Sequence, residues 1–367
     1  MFESFGYIIS ACDDSTQAQR LIIGCLDDHL TNWNQFNSNA STNSSECNNL
    51  ESIQRLCVFL KISTAMCRSA GSAFDILISK IFQQLINLYS ILSTIISQKV
   101  TSFGPDASLY SDVKILKGFK RDALNMLSCF IANCHENLDS ITSRYFLPIV
   151  EVIFSEYAAS PPVTRESEVL VLAAACINTL KSRLNEHIVH IFRHLFDSTL
   201  LMINQDHQEY PEHRIAFFKL IEAITTHCFQ SLSTMSVAEF DFVMQSLFYA
   251  ISHTMPSVTN VGLTILVTIF KNLVDPSSYS NSSFVTHFYK TYYISILDRI
   301  FHLVTDAMHS SDLAEHSFIL SHMFNLLESN KIAIPIFEIT GQYTDNISFV
   351  KDHSISFLKQ QHDHLTE

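Results

Sequence analysis

Glycine and proline are scarce, at 7 and 8 in 367 residues. Sandwiches, propellers and glycine-rich nucleotide folds need many tight turns and positive-φ positions, and this scarcity excludes them. Positive charge is also short. Lys and Arg number 23 against 36 Asp and Glu, a formal net charge of −13. Such a surface does not attract phosphate backbones or anionic lipid, so neither nucleic acid nor a membrane is expected as a direct partner. The 9 cysteines form no CxxC pair, which points to reduced, mostly buried thiols rather than a redox or zinc framework. The sequence contains no GxSxG elbow, Walker loop or GxGxxG fingerprint, so no catalytic or cofactor-binding residue is assigned and no enzyme is expected. The opening MFESFGYIISACDD lacks the basic region of a secretory signal. The longest apolar run, Ile81 to Ile96, is interrupted by Gln83, Gln84, Asn87, Ser90, Ser93 and Thr94, side chains that would need partners in hydrocarbon.

What is present is apolar and helical in period. Hydrophobic residues make up 47%, 28 of them Phe, and the mean hydropathy is +0.17, enough to offset the entropy of ordering the chain. Apolar stretches of helical length come in neighbouring pairs separated by Ser, Asn, Asp and Pro. Residues 112–134 pair with 138–157, 166–184 with 188–203, 211–229 with 237–253, and 256–274 with 283–308. A pair every forty residues or so is the spacing of HEAT-type units. The fold class expected is therefore all-α, an α-α superhelix or HEAT-repeat solenoid. Pro211 and Pro256 suit first-turn positions, and Ser167 and Ser236 suit caps. Earlier helices are expected over 2–11, 17–33, 49–66 and 73–98. Residues 34–49, NQFNSNASTNSSECNN, read as a polar inter-helix loop, with Asn39-Ala-Ser41 a chance sequon. Regularity fades after Glu328.

Three constellations invite chemistry. His187, His190 and His194 lie within EHIVHIFRH, and His190 and His194 share a helix face at i, i+4, as zinc ligands do. Ile191 stands where a zinc protease needs its glutamate, no third ligand is indicated, and a histidine-bearing surface is the preferred reading. Cys129 and Cys134 point in diverging helical directions, and His227 and Cys228, adjacent on a helix, do too, so neither pair is read as reactive. Phe288, Tyr289, Tyr292 and Tyr293 could form a recognition patch, although helical spacing favours inter-repeat core.

Specific strings carry more. The run MINQDHQEYPEHRIAFFKLIEAITTHCF at 202–229 resembles the C-terminal region of the exportin-1 family of nuclear export receptors, where EYPEHR precedes a helix ending His-Cys-Phe. The likeness continues through Ser252-His253-Thr254-Met255, Gly262-Leu263 and residues 288–328, and upstream through RESEVL at 165–170 and GFKRDALNMLSCFI at 118–131. In EYPEHR itself, Tyr210 can pack beside a turn, Pro211 starts a helix and Glu212 suits its positive end. The resemblance implies that residues 1–328 are C-terminal HEAT repeats of this karyopherin family and 329–367 an irregular, shortened terminal repeat. It implies, for the intact receptor, Ran-GTP, cargo bearing leucine-rich export signals and nuclear pore proteins as partners, shuttling between nucleus and cytoplasm, and no cofactor or metal. The family's export-signal groove and its reactive cysteine lie on repeats preceding this region, so none of the cysteines here inherits that role. The family's sequence is longer by about one helix between Lys331 and Phe337 and carries an acidic tail helix not seen here. Residues contacting partners are not assigned. The other class considered is a stand-alone HEAT adaptor without transport activity.

Overall fold

The computed structural model describes residues 1–133, 138–205, 209–279, 282–305, 313–332, 335–337 and 342–366. Every regular element among them is helical. The chain divides into two compact units, Met1–Leu220 and Ile221–Glu367.

The first unit opens with α1 (Phe2–Ser10), α2 (Ser15–Cys25) and α3 (Asp27–Thr42), followed by α4 (Leu50–Ala70), α5 (Asp75–Phe103) and α6 (Ser111–Asn133). Next, α7 (Leu138–Ile141) leads through π-helical turns at Thr142–Phe146 and Ile149–Phe154 into α8 (Ser155–Ala159). The unit closes with α9 (Glu168–Leu180), α10 (Ile188–Gln205) and most of α11 (Pro211–His227). Two layers result. In one, α4 packs on α1 and α6, and α6 packs on α9; in the other, α5 meets the π-helical segment, which meets α10. Stacking of helices separated in sequence by one or two others is what stacked helix pairs give, as the sequence period predicts. Tyr145 joins the layers, its ring edge-on to Phe82 and Phe130 at 4.9 and 5.1 Å, with its hydroxyl donating to Asp75 Oδ1 at 2.6 Å. At the α1–α4 crossing Ser69 Oγ donates to the Glu3 carbonyl at 2.7 Å.

Three local expectations need correction. Residues 34–42 are not a loop: α3 runs through them, and only 44–48 form a short 3-10 turn. Leu30, Trp33 and Phe36 are buried on one side, while Asn37 and Ser41 donate to the carbonyls of Trp33 and Asn37. Polar residues can thus serve a helix whose other side is anchored. Asn39 therefore lies on a helix. The helix expected at 17–33 is instead broken at Leu26, which caps α2 and precedes α3. Residues 138–157 are helical but wider than α over much of their length.

The second unit continues with α12 (Phe229–Leu232), α13 (Val237–Ile251), α14 (Pro256–Val274), α15 (Ser282–Thr305), α16 (Leu313–Glu328) and α17 (Asn346–Thr366). Ser236 and Glu239 form a reciprocal capping box at the start of α13, and Pro256 occupies the first turn of α14. Ser167 takes the cap position of α9 without a side-chain capping bond. Here α14 packs on α13 and α16, and α17 covers α15 and α16. Gly262 makes the α13–α14 contact possible, since a Cβ there would stand 2.9 Å from Ala250 Cβ and 3.1 Å from Ile251 N. Asn346 holds the irregular stretch before α17, accepting from Ile336 N and donating to the Ile332 carbonyl, both at 3.0 Å. The stretch Leu50–Phe103 and α14 are long and apolar enough to cross a membrane, but half or more of each apolar window is buried within the fold. Among the polar interruptions of α5, Gln84 has an internal use, accepting from Trp33 Nε1 at 2.5 Å.

Candidate functional site

Three of the strings that carry the family resemblance, at 118–131, 165–170 and 209–214, meet inside the first unit. On α6 the apolar stripe Val113, Leu116, Ala123, Leu127 is interrupted at the same spacing by Lys120, which is 1% exposed. Its Nζ reaches Glu156 Oε1 at 3.1 Å and lies 4.9 Å from the centroid of the Tyr89 ring. Glu156 also accepts from the hydroxyls of Tyr89 and Ser160, at 3.3 and 2.5 Å. The buried Lys120 ammonium thus faces a half-buried carboxylate that also accepts from two hydroxyls, the pairing a buried charge requires. A cleft of about 410 Å³, lined by hydroxyl residues including Ser93, Ser97 and Thr101, opens beside Glu156 and Ser160.

From the segment 165–170, Arg165 and Glu166 show opposite habits. Arg165 donates to the carbonyls of Tyr157 at 3.0 Å, Ser198 at 2.6 Å and Ala158 at 3.3 Å, stitching the end of α8 to α10, where Tyr157 and Thr199 share a 2.9 Å hydroxyl bond. Glu166 points inward between Lys117 and Arg121, each 3.5 Å away. At that distance the cations do not offset the loss of water, and burial pushes the Glu166 carboxyl up to about 7. His213, from EYPEHR, is hydrogen-bonded to the Arg165 backbone, and burial drives its imidazole down to about 4. Beside it Arg214 is fully buried, donating to the carbonyls of Ile203 at 3.1 Å and Glu209 at 3.3 Å. Tyr210 holds φ +60, a left-handed conformation that costs a non-glycine residue roughly 1–2 kcal/mol. Its ring meets His213 edge-on at 5.7 Å, and its carbonyl accepts from Arg214 N at 3.1 Å as α11 begins. Pro211 and Glu212 take the first turn as their types predict.

This arrangement holds helices in register, with its acids and bases tied to structural partners. The other candidates fall apart as chemistry. His190 and His194 are brought together, Nε2 to Nε2 at 3.1 Å, but His187 turns to the Phe146 ring, and no group of three metal-ligating side chains occurs among the described residues. Cys228 is buried at the cap of α12, its thiol pushed up to about 12 by burial. Cys134 lies outside the described residues, while Cys129 contacts α4 instead. Phe288, Tyr289, Tyr292 and Tyr293 are all buried; Phe288 and Tyr292 pack against Phe240, and Tyr292 donates to Asp241. Inter-helix core accounts for them.

Sequence reasoning missed Lys120, Glu156 and Glu166, and treated EYPEHR as a junction without Arg214. A signal existed for two of them. Lys120 and Arg214 each occupy an apolar-stripe position of their helix, Arg214 standing in line with Phe217, Phe218, Ile221 and Thr225.

Comparison with known proteins agrees with the convergence of these strings. The family model described as CRM1 C terminal matches residues 77–367. Exportin-1 of Drosophila melanogaster is 30% identical over 367 residues, all of this chain and 34% of the relative. Protein EXPORTIN 1A of Arabidopsis thaliana is 34% identical over 310 residues, 84% of this chain and 28% of the relative. Exportin-1 of Schizosaccharomyces pombe is 30% identical over 366 residues, 99% of this chain and 34% of the relative. The chain thus spans about a third of the length of the curated relatives it matches.

Proposed function

Because the chain belongs to the CRM1 C-terminal family of exportin-1 proteins, we propose that it serves as the C-terminal scaffold of a nuclear export receptor. The carrying observation is the family match across residues 77–367, supported by the buried junction at which the matching strings meet. A receptor that alternates between loaded and unloaded states needs a framework with few stable curvatures, and a stack of helix pairs stores strain at each inter-repeat contact. In this reading Ran-GTP and cargo with a leucine-rich export signal each favour one curvature, and HEAT-type repeats of this chain transmit the preference. The groove for the export signal lies on repeats preceding this region. The intact receptor shuttles between nucleus and cytoplasm and meets nuclear pore proteins on the way.

A chimaera tests this. Replacing the matching C-terminal third of Schizosaccharomyces pombe exportin-1 with this chain is expected to restore nuclear exclusion of a reporter bearing a leucine-rich signal. Persistent nuclear retention, with the chimaera folded and expressed, would overturn the assignment. The chain alone, mixed with GTP-loaded Ran and a labelled signal peptide, is expected to leave the peptide unbound. Tight peptide binding would place the groove here.

A further inference from the structure

The cleft beside Glu156 has features that the helix junction does not use. It lies between the C-terminal half of α5 and the end of α8, holds about 410 Å³, and has Ser93, Thr94, Ser97, Thr101, Glu156 and Ser160 on its wall. Several of these atoms present acceptors. Thr94 gives its proton to the Ser90 carbonyl at 3.0 Å and Ser160 gives its own to Glu156 Oε1 at 2.5 Å, so each hydroxyl has only lone pairs left to offer. Glu156 Oε1 takes Lys120 and Ser160, whereas Oε2 takes Tyr89 alone. A carboxylate oxygen accepts about two hydrogen bonds, so Oε2 keeps room for a second donor. Ser93 is an independent sign. It is 2% exposed, yet its Oγ has no hydrogen-bond partner among the described residues, although a helical hydroxyl commonly returns its proton to the carbonyl one turn back, as Thr94 does. A buried hydroxyl left unpaired costs stability, and this one lines the cleft. No basic side chain is among the described residues on the wall, because the Lys120 ammonium is 1% exposed and sits over the Tyr89 ring.

The geometry points to a binding site for a guanidinium group, the arginine side chain of a partner polypeptide. Guanidinium is a planar, permanent cation with several donors and no acceptor, which matches a wall whose fixed groups accept. An anion would meet Glu156 and no counter-charge. Lys120 already balances the Glu156 charge locally, so the fit rests on donors meeting acceptors, and the net charge of −13 supplies attraction at longer range. The surface beside the cleft favours a polypeptide over a free cation. From Thr101 and Ser102 the chain runs into Phe103, and the turn that follows carries Leu109 and Tyr110, all three exposed. That turn packs against residues 162–164, just beyond Ser160. Apolar contact around an arginine anchor is the combination a protein interface uses.

The test uses the full chain and the tripeptide acetyl-Leu-Arg-Leu-amide, titrated by saturation-transfer NMR. The citrulline tripeptide, equal in shape but uncharged, is expected to bind at least about tenfold more weakly, and so is methylguanidinium, which lacks the flanking contacts. Ser93→Ala is expected to weaken the arginine tripeptide about tenfold without lowering the unfolding temperature, since removing an unpaired hydroxyl leaves no orphaned partner. Ser97→Ala reads the same loss of affinity if Ser93→Ala does not fold. Arginine and citrulline tripeptides binding alike, affinity unchanged in these variants, or no binding at millimolar tripeptide overturns the site. Methylguanidinium binding as tightly as the tripeptide overturns the polypeptide ligand.

Discussion

At the scale of single residues, Glu166 and His213 set up opposing responses to pH. Glu166 titrates at about 7 in the fold against an ordinary 4.5, so the folded state holds its proton more tightly, and this group's contribution to stability is lost as pH rises from 4.5 to 7. His213 titrates at about 4 against 6.5, so the unfolded state binds the proton more readily, and its contribution is lost as pH falls from 6.5 to 4. Lys117 acts on both, favouring the charged form of Glu166 and opposing that of His213, while Lys120, Arg121 and Glu168 act on Glu166 and Arg165 on His213. In the overlap the two slopes cancel. Glu166→Gln is expected to unmask the histidine, losing stability relative to wild type on acidification from 7 to 4.5 with a slope approaching about 1.4 kcal/mol per pH unit. His213→Asn is expected to do the reverse, gaining on wild type as pH falls from 6.5 to 4. Urea denaturation midpoints across pH 4 to 7.5, compared as variant minus wild type, report both; parallel curves for all three proteins would mean that neither group titrates as its surroundings dictate. Much of this junction was legible only as strings. EYPEHR and RESEVL marked a family, but that Arg165 and His213 touch depends on α8, α10 and α11 meeting, which no local pattern encodes.

At the scale of elements, period and punctuation located the helices well where apolar stripes are strong, as in α6 and α14, and poorly where composition misleads. The run after Trp33 looked like a loop because its residues are polar, yet Leu30, Trp33 and Phe36 anchor α3 at helical spacing. The break at Leu26 falls two residues after Gly24, and the π-helical turns at 142–146 and 149–154 lie on either side of Pro148, which cannot donate to a regular helical ladder. Glycine, being scarce, is informative where it stays in a helix. A Cβ at Gly6 would stand 2.0 Å from Ser69 Oγ and 2.8 Å from the Met66 carbonyl, so α1 crosses α4 at backbone distance. Gly6→Ala is expected to push α1 away, break the Ser69 bond to Glu3 and destabilise the docked helix by roughly 1–3 kcal/mol. Amide exchange over residues 2–10 is expected to quicken while α5 is unchanged; unaltered protection of α1 would show that the crossing relaxes freely.

For the molecule as a whole, the layered contacts carry a consequence for cooperativity. In a globular core, overpacking at one point weakens protection everywhere, because one set of contacts holds every element. Where each helix touches chiefly its sequence neighbours and the helices stacked beside it, stability is a sum of local terms and damage stays local. Gly262 offers the clean case, with Ala250 Cβ and Ile251 N both too near for a methyl group and the site deep in the second unit. Gly262→Ala is expected to cost roughly 1–3 kcal/mol, raising amide exchange in α13, α14 and α16 while α4, α6 and α9 keep theirs. Hydrogen exchange read by mass spectrometry separates the outcomes: uniform loss of protection along the chain would mean a single cooperative fold, unable to hold strain in one region.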